Sequence, residues 1–211
     1  MIDLYTWPTP NGRKVSILLE ELEVEYKVIP IDINKGKQFT YEFEKITPCK
    51  KIPVIYDYGN DMTVRESGSI LIYLAEKFGK FLRADKYKWE TLQWLMWQMS
   101  SVGPTFGQAH HFLFYKPGQS AYSENRFKEE IKKLYEILDK KLETFEYCSG
   151  PGSGEYSIAD ISLWPWISRF ERHQIDLKKY SNVYNWYKRI AERPAVQRGY
   201  YIPHFEMDIP Y

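Results

Sequence analysis

The chain changes its sequence pattern near residue 83, and this change limits the folds that it can adopt. Before that point, short β-prone runs alternate with stretches whose apolar residues recur at helical spacing. The order is strand, helix, strand, short helix, strand, strand, helix. A strand–helix–strand unit favours parallel pairing, and the last two strands, joined through Gly59 and Asn60, favour a hairpin. The first 82 residues therefore predict a small α/β unit.

The elements of this unit can be placed on the sequence. We predict strands over residues 2–6, 26–33, 53–56 and 62–65. The two longer helices are predicted over residues 11–22 and 67–78, and Gly79 is a suitable terminator for the second. Pro30 lacks a backbone N–H and predicts an edge position for the second strand. This order matches the thioredoxin-like arrangement.

After residue 84 the strand signals fade and the pattern becomes helical. Apolar residues from Trp89 to Met99 keep helical spacing, until Gly103 and Pro104 predict an interruption. An amphipathic stripe and two further helices are predicted over residues 127–145, 157–172 and 183–190. The predicted fold class is α/β plus all-α, with a thioredoxin-like domain over residues 1–82 and an all-helical C-terminal domain over residues 85–211.

Charge and cysteine content exclude several classes of function. The 29 Lys and Arg against 28 Asp and Glu leave a net charge of +1, which gives no support to a nucleic-acid or membrane-surface role. The amino terminus has no targeting pattern, and Cys49 and Cys148 form no disulfide framework. His110 and His111 point about 100° apart on a helix, so they form no chelating pair. We expect a cytoplasmic protein without a metal site.

The turn between the first strand and the first helix, Trp7 to Gly12, is the first candidate site. Thioredoxins and glutaredoxins place reactive cysteines at this turn, but this chain has Thr9 and Asn11 there instead. The free N–H groups and the dipole of a helix start favour an anion such as a thiolate. The alternative is that Asn11 only caps the helix.

A second candidate segment, Lys50 to Val54, comes directly before a predicted strand. An X-Pro bond in an ordered turn can be held cis, and such a bend exposes the backbone N–H and C=O of the preceding residue. A bound peptide can then pair with Ile52 as an added strand would. The alternative is an ordinary trans Pro53 at the start of a strand.

The third segment, Arg65 to Gly68, lies at the start of the next predicted helix. Ser67 is predicted to be the N-cap of this helix, with the neighbouring N–H groups pointing outward. These groups favour a free α-carboxylate, while the Glu66 carboxylate favours the companion ammonium group. Helix capping alone is the alternative.

Taken together, these segments resemble the glutathione transferase superfamily over nearly the whole chain. KIPV at 51–54 and ESGSILIYL at 66–74 resemble its glutathione-binding signatures. Ser157 and Asp160 have capping-box spacing and resemble the superfamily's C-terminal folding motif, so we expect Asp160 to be structural. Within the superfamily, the Nu class is most similar through PTPNG at 8–12, KGKQF at 35–39, GQAHHF at 107–112 and WPW at 164–166.

The resemblance implies a homodimer that binds glutathione or its disulfide, with catalytic roles for Asn11 and Thr9 at the glutathione sulfur. It also implies that Gln38 and Lys51 contact the glycyl carboxylate, and that Ile52, followed by Pro53, pairs with the cysteinyl backbone. Glu66 and Ser67 are implied to hold the γ-glutamyl end, and Arg126 to contact a second glutathione. Its implied activity is glutathione-dependent disulfide reduction without an essential protein cysteine.

Other functions stay open at this point. A glutathione thiolate at the same site is suited to conjugating electrophiles, and Tyr5 lies on the strand just before the turn. A non-enzymatic binding protein with this fold is another alternative. Cys49 stands where an Asn is common in the class, so a mixed disulfide at this thiol is an alternative to an inert loop cysteine.

Overall fold

A four-stranded mixed sheet organises the N-terminal part of the computed structural model, which describes residues 1–204 and 207–211. The strands are β1 (Ile2–Thr6), β2 (Tyr26–Pro30), β3 (Val54–Asp57) and β4 (Met62–Arg65). They lie in the order β2-β1-β3-β4, in which β1 is parallel to β2 and antiparallel to β3, and β3 is antiparallel to β4. The structure confirms the predicted thioredoxin-like fold and the edge position of the strand that contains Pro30.

Strand β2 ends at Pro30, three residues before the predicted end at residue 33. Directly after it, the Asp32 side chain accepts a hydrogen bond from the Asn34 N–H at 3.0 Å and caps a 3₁₀ turn, Ile33–Lys35. A short polar side chain that bonds its own backbone two residues on competes with strand pairing. This local turn therefore explains why the strand is shorter than its apolar pattern suggested.

Helices α1 (Pro10–Leu22), α2 (Tyr41–Ile46) and α3 (Ser67–Phe78) complete the β-α-β-α-β-β-α order that the sequence predicts. The apolar stripe of α1 is buried, as are the inward-facing residues of β1 and β3. Buried residues of the sheet and of α1 include Ile2, Leu4, Val15, Leu18, Leu19, Val54 and Ile55. The consecutive Val54 and Ile55 lie on opposite faces of β3. Each fully buried aliphatic side chain of this kind contributes about 1.5–3 kcal/mol, so both faces of the sheet are stabilised by packing.

A helix near the C terminus, α9 (Pro194–Tyr200), packs against α1. Ser16 Oγ donates a hydrogen bond to the Gly199 carbonyl at 2.7 Å, and Arg13 Nε donates to the Tyr200 carbonyl at 2.9 Å. The Arg13 guanidinium also lies 3.6 Å from the centre of the Tyr200 ring. By their contacts, residues 1–82 and 192–209 form one compact unit, and residues 83–191 and 210–211 form a second.

The second unit is helical in all its longer elements, as its sequence predicts. These are α4 (Tyr87–Trp97), α5 (Gly103–His110), α6 (Ala121–Lys141), α7 (Ile158–Ile167) and α8 (Ser181–Ala191), with shorter 3₁₀ and π-helical turns between some of them. Among the described residues, no helix has the length and apolar character that a bilayer crossing requires. Helix α7 ends at Ile167 rather than residue 172, because Arg169 leaves the helical region with φ −108° and ψ 21°.

The predicted interruption at Gly103 and Pro104 is wrong. Val102 (φ −63°, ψ −54°) and Gly103 (φ −58°, ψ −54°) are both helical, so the chain continues from α4 into α5. A π-helical turn, Gln98–Val102, comes directly before them. Proline removes one N–H and its ring crowds the carbonyl four residues earlier, and a wider turn is a common way to accommodate both effects.

Asp160 forms the predicted capping box at the start of α7 and bonds two further groups. Its carboxylate accepts hydrogen bonds from the Ser157 N–H at 3.1 Å, the Cys148 N–H at 2.9 Å and Trp186 Nε1 at 2.9 Å. The side chain is fully buried, and burial raises its pKa. One carboxylate thus joins the loop around Cys148 to α7 and α8, which agrees with the structural role expected for Asp160.

We expect Gly199→Ala to lower the free energy of unfolding by about 1–3 kcal/mol, because an added Cβ would lie 2.7 Å from Ile17 Cα and 2.8 Å from Ile17 N. Gly107→Ala is the control, since the nearest atom to its Cβ is a Trp166 ring carbon at 3.7 Å. That substitution should raise stability by up to about 1 kcal/mol through helix propensity. Urea denaturation measures both, and equal effects would contradict the close packing of α9 on α1.

We expect Asp160→Ala to lower the free energy of unfolding by about 2–4 kcal/mol, because buried donors from three segments lose their acceptor. Asp176→Ala is the matched control. Asp176 is exposed and caps only a 3₁₀ turn, Leu177–Lys179, so its loss should cost about 1 kcal/mol or less. Thermal denaturation compares the two variants. A loss of stability in Asp160→Ala as small as that in Asp176→Ala would contradict the structural role of Asp160.

Candidate functional site

The start of α1 is capped by Thr9. This residue has an extended backbone (φ −99°, ψ 162°), and its Oγ1 accepts a hydrogen bond from the Gly12 N–H at 3.1 Å. Pro10 is the first helical residue and Asn11 the second, so the interpretation of Asn11 as the helix cap is wrong. No acidic residue lies in the first turn of α1, and the positive end of its dipole therefore has no acidic side chain of the helix beside it.

Gly12 allows this helix start to lie close to the chain that enters it. An added Cβ would clash with the Trp7 carbonyl oxygen and lie 2.5 Å from Thr6 Oγ1, so a larger residue does not fit without movement of the backbone. Thr9 and Asn11, on either side of Pro10, are both half-buried. The turn is therefore compact and leaves the side chains of Thr9 and Asn11 partly accessible.

The segment before β3 has the cis Ile52–Pro53 bond that the sequence made possible. Pro53 is buried and Ile52 half-buried. Val54, the first residue of β3, pairs with Tyr5 near the end of β1. The Ile52 backbone and the turn after β1 therefore lie at the same end of the strands.

The third segment reaches the same place through β4. Val54 also pairs with Arg65, the last residue of β4, and α3 begins two residues later. The prediction of Ser67 as N-cap is wrong, because Ser67 is the first helical residue and Glu66 occupies the cap position. Glu66 has φ +65° and ψ 120°, a conformation that non-glycine residues rarely adopt and that occurs often at functional sites.

Ser67 has a buried partner that the sequence analysis did not identify. Its side chain is buried, and Lys14 Nζ on α1 donates a hydrogen bond to Ser67 Oγ at 3.3 Å. Lys14 is fully buried, which lowers its pKa to about 7, while the Glu66 carboxylate acts in the opposite direction. The spacing of Lys14 four residues before Leu18 was the signal in the sequence, since it puts the lysine on the buried face of α1.

The other predicted contacts are distributed over both compact units. Gln38 is half-buried in a 3₁₀ turn, Lys37–Phe39, and its buried Oε1 has no hydrogen-bond partner among the described residues. Lys51 is exposed in the segment before β3. Arg126 belongs to the second unit, where it is exposed on α6 and donates to Glu130 at 3.0 Å. The predicted contacts of these residues with glutathione stay predictions.

The two cysteines differ in environment. Cys49 is exposed in the loop between α2 and β3, whereas Cys148 is fully buried in the second unit. Burial holds the pKa of the Cys148 thiol well above its usual range, and the nearby Asp160 carboxylate acts in the same direction. A thiol that is buried and protonated is a poor nucleophile, so Cys148 does not suit a redox role.

Two family models match the chain. The model described as the glutathione S-transferase N-terminal domain matches residues 1–76, and the model of the C-terminal domain matches residues 121–189. A relative from Escherichia coli (strain K12), named disulfide-bond oxidoreductase YfcG, is 46% identical over 201 residues. The aligned region covers 92% of this chain and 92% of that protein, so the similarity includes both family domains.

Solved structures show the same relationship. A glutathione transferase from Pseudomonas putida, solved with one glutathione disulfide bound per subunit, is 38% identical with a TM-score of 0.89, over 96% of this chain and 91% of that one. A family member from Pseudomonas fluorescens pf-5, solved with two glutathione bound, is 38% identical with a TM-score of 0.86, over 96% and 93%. These matches confirm the family that the sequence motifs predicted. The chain belongs to the glutathione S-transferase superfamily.

Proposed function

We propose that this protein is an enzyme that reduces disulfide bonds with glutathione as the thiol donor. The observation that carries the proposal is the pairing of Val54 with Tyr5 and with Arg65, which brings the three predicted glutathione-binding segments to one end of the strands. Two comparisons support this activity over other activities of the superfamily. The relative that is 46% identical is named a disulfide-bond oxidoreductase, and the Pseudomonas putida protein was solved with glutathione disulfide bound.

Each part of glutathione has a suitable group in this arrangement. The N–H groups at the start of α3, with Ser67, suit the γ-glutamyl carboxylate, and the exposed Glu66 suits its ammonium group. The Ile52 backbone suits the cysteinyl part. Gln38 and Lys51 are the candidates for the glycyl carboxylate. The sulfur then lies at the start of α1, where Thr9 and Asn11 are partly accessible.

The start of α1 provides the groups that a thiolate requires. The Thr9 hydroxyl accepts the Gly12 N–H and keeps its own hydrogen, so it can donate to sulfur while it caps the helix. The Asn11 side-chain amide is a second donor at this position. Donors and a helix dipole that are fixed in advance favour the thiolate over the thiol, as they do for cysteines at helix starts.

The reaction then proceeds in two exchange steps. The glutathione thiolate attacks one sulfur of the substrate disulfide, the substrate S–S bond breaks, and the leaving thiolate takes a proton from solvent. The product is a mixed disulfide between glutathione and half of the substrate. A second glutathione thiolate attacks the glutathione sulfur of this mixed disulfide and releases glutathione disulfide and the second substrate thiol. Neither step requires a cysteine of the protein.

We expect Asn11→Ala to lower kcat/KM for reduction of hydroxyethyl disulfide by about 100-fold, because one donor to the thiolate is lost. Asn34→Ala is the matched control, since Asn34 is exposed in a 3₁₀ turn of the same unit. Cys49→Ser should keep the wild-type rate. A coupled assay of glutathione disulfide formation measures all three.

A parallel assay with an aryl halide separates the other functions. Efficient conjugation with negligible disulfide reduction would replace the proposal with a conjugating transferase. The absence of both activities would indicate a binding protein, and loss of disulfide reduction in Cys49→Ser would contradict a mechanism without a protein cysteine.

A further inference from the structure

Lys14 places a buried amino group directly behind the proposed γ-glutamyl site. It is the fifth residue of α1, its side chain has no exposed surface, and its Nζ lies 3.3 Å from Ser67 Oγ. Ser67 is also buried and begins α3, while the exposed Glu66 precedes it. A bound α-carboxylate at the start of α3 would therefore have Ser67 in contact with it and Lys14 behind Ser67.

We propose that Lys14 is a positioning residue for the γ-glutamyl end of glutathione. Lys14 holds Ser67 in place, and it takes up a proton when the α-carboxylate binds. This inference rests on the proposed function, because it requires glutathione to bind at the start of α3. Lys14 acts through Ser67 and through its charge, and it has no role at the sulfur.

The charge of Lys14 responds to ligand because two effects oppose each other there. Burial lowers the pKa of Lys14 to about 7, and the Glu66 carboxylate limits this decrease. A second carboxylate in contact with Ser67 favours the protonated form further, since opposite charges are only weakly screened at a buried site. The ligand ammonium, in contrast, lies at the exposed Glu66, where solvent screens it more strongly. Binding therefore shifts the pKa of Lys14 upward and moves a proton from solvent to the protein.

Among the charged side chains that the structure describes around Lys14, the Glu66 carboxylate raises its pKa. Helix α1 packs on α3 and α9, and its start lies against the end of β1. The other charged side chains on these elements have their own partners within the unit or are exposed. They are Asp3, which accepts from the Tyr58 hydroxyl, Arg13, which donates to the Tyr200 carbonyl, Lys77, which pairs with Asp57, Glu76, which is exposed, and Arg193 and Arg198, which pair with Glu21 and Glu20.

The sign of the expected pH dependence follows from linkage. Below about pH 7, Lys14 carries its proton with and without ligand, so affinity does not change with pH through this group. Above this value the free protein must gain a proton on binding, and affinity falls as pH rises. For a pKa of about 7 in the free protein and a much higher one in the complex, binding is roughly tenfold weaker at about pH 8 than at about pH 6.

Titration calorimetry with S-methylglutathione tests this inference. This ligand has no ionisable thiol, so thiolate formation cannot contribute protons. At about pH 7.5, comparison of buffers with different ionisation enthalpies should give an uptake of about half to one proton in the wild type. The small deprotonated fraction of the ligand's α-amino group is a second group that can take up protons on binding, and variants at position 14 separate the two sources.

Lys14→Met keeps the length of the side chain and removes the titrating group, and it should abolish both the proton uptake and the pH dependence of affinity. Lys14→Arg keeps a permanent charge, so it should restore binding at about pH 8 without proton uptake. Lys27→Met, on the exposed side of the edge strand β2, is the matched control and should behave as wild type.

The outcomes separate this inference from the proposed function. Binding without proton uptake in the wild type, or uptake that persists in Lys14→Met, would overturn the role of Lys14 and leave glutathione binding intact. If Lys14→Met does not fold, the wild-type uptake and the Lys14→Arg variant decide the question. If the wild type binds neither glutathione nor S-methylglutathione, the proposed function itself would be overturned.

Discussion

Strand β3 pairs through Val54 with Tyr5 of β1 on one side and with Arg65 of β4 on the other. The residues that follow β1, precede β3 and follow β4 are far apart in sequence, yet this register brings them to one end of the strands. A shift of one residue would turn every side chain of a strand to the opposite face. In β4, Val64 is buried and Arg65 is exposed, so a shift of this strand would bring a charged side chain to a buried position. The geometry of the candidate site therefore depends on the packing of the sheet.

Two helix starts belong to the proposed glutathione site, and the structure supports each of them differently. At α1, Thr9 caps the helix, and Gly12 allows the turn to lie against the end of β1. At α3, Glu66 has a positive φ, and Ser67 is held from behind by the buried Lys14. A thiolate and a carboxylate are both anions, and at the start of α3 the buried Lys14 lies behind Ser67. In the proposed site, this lysine belongs to the recognition of the γ-glutamyl end and not to the chemistry at the sulfur.

Much of the fold could be predicted because its signals are local. Strand β4 and helix α3 have the predicted bounds, since Gly59 and Asn60 mark the hairpin and Gly79 (φ +65°) ends the helix. The errors depend on contacts or on geometry that a linear pattern does not contain. Pro104 looked like a helix end, but a π-helical turn before it lets the helix continue. Lys14 was missed because its burial results from the packing of α1 against α3, and the sequence showed only its spacing from Leu18.

Stabilisation of a glutathione thiolate at the start of α1 can be read from the pKa of the glutathione thiol in the binary complex. This pKa can be measured from the ultraviolet absorbance of the thiolate as pH is varied at saturating glutathione. We expect this pKa to fall from the ordinary thiol value of about 8.5 to about 7.5 or lower. A bound thiol that titrates at the same pH as free glutathione would contradict the proposed mechanism.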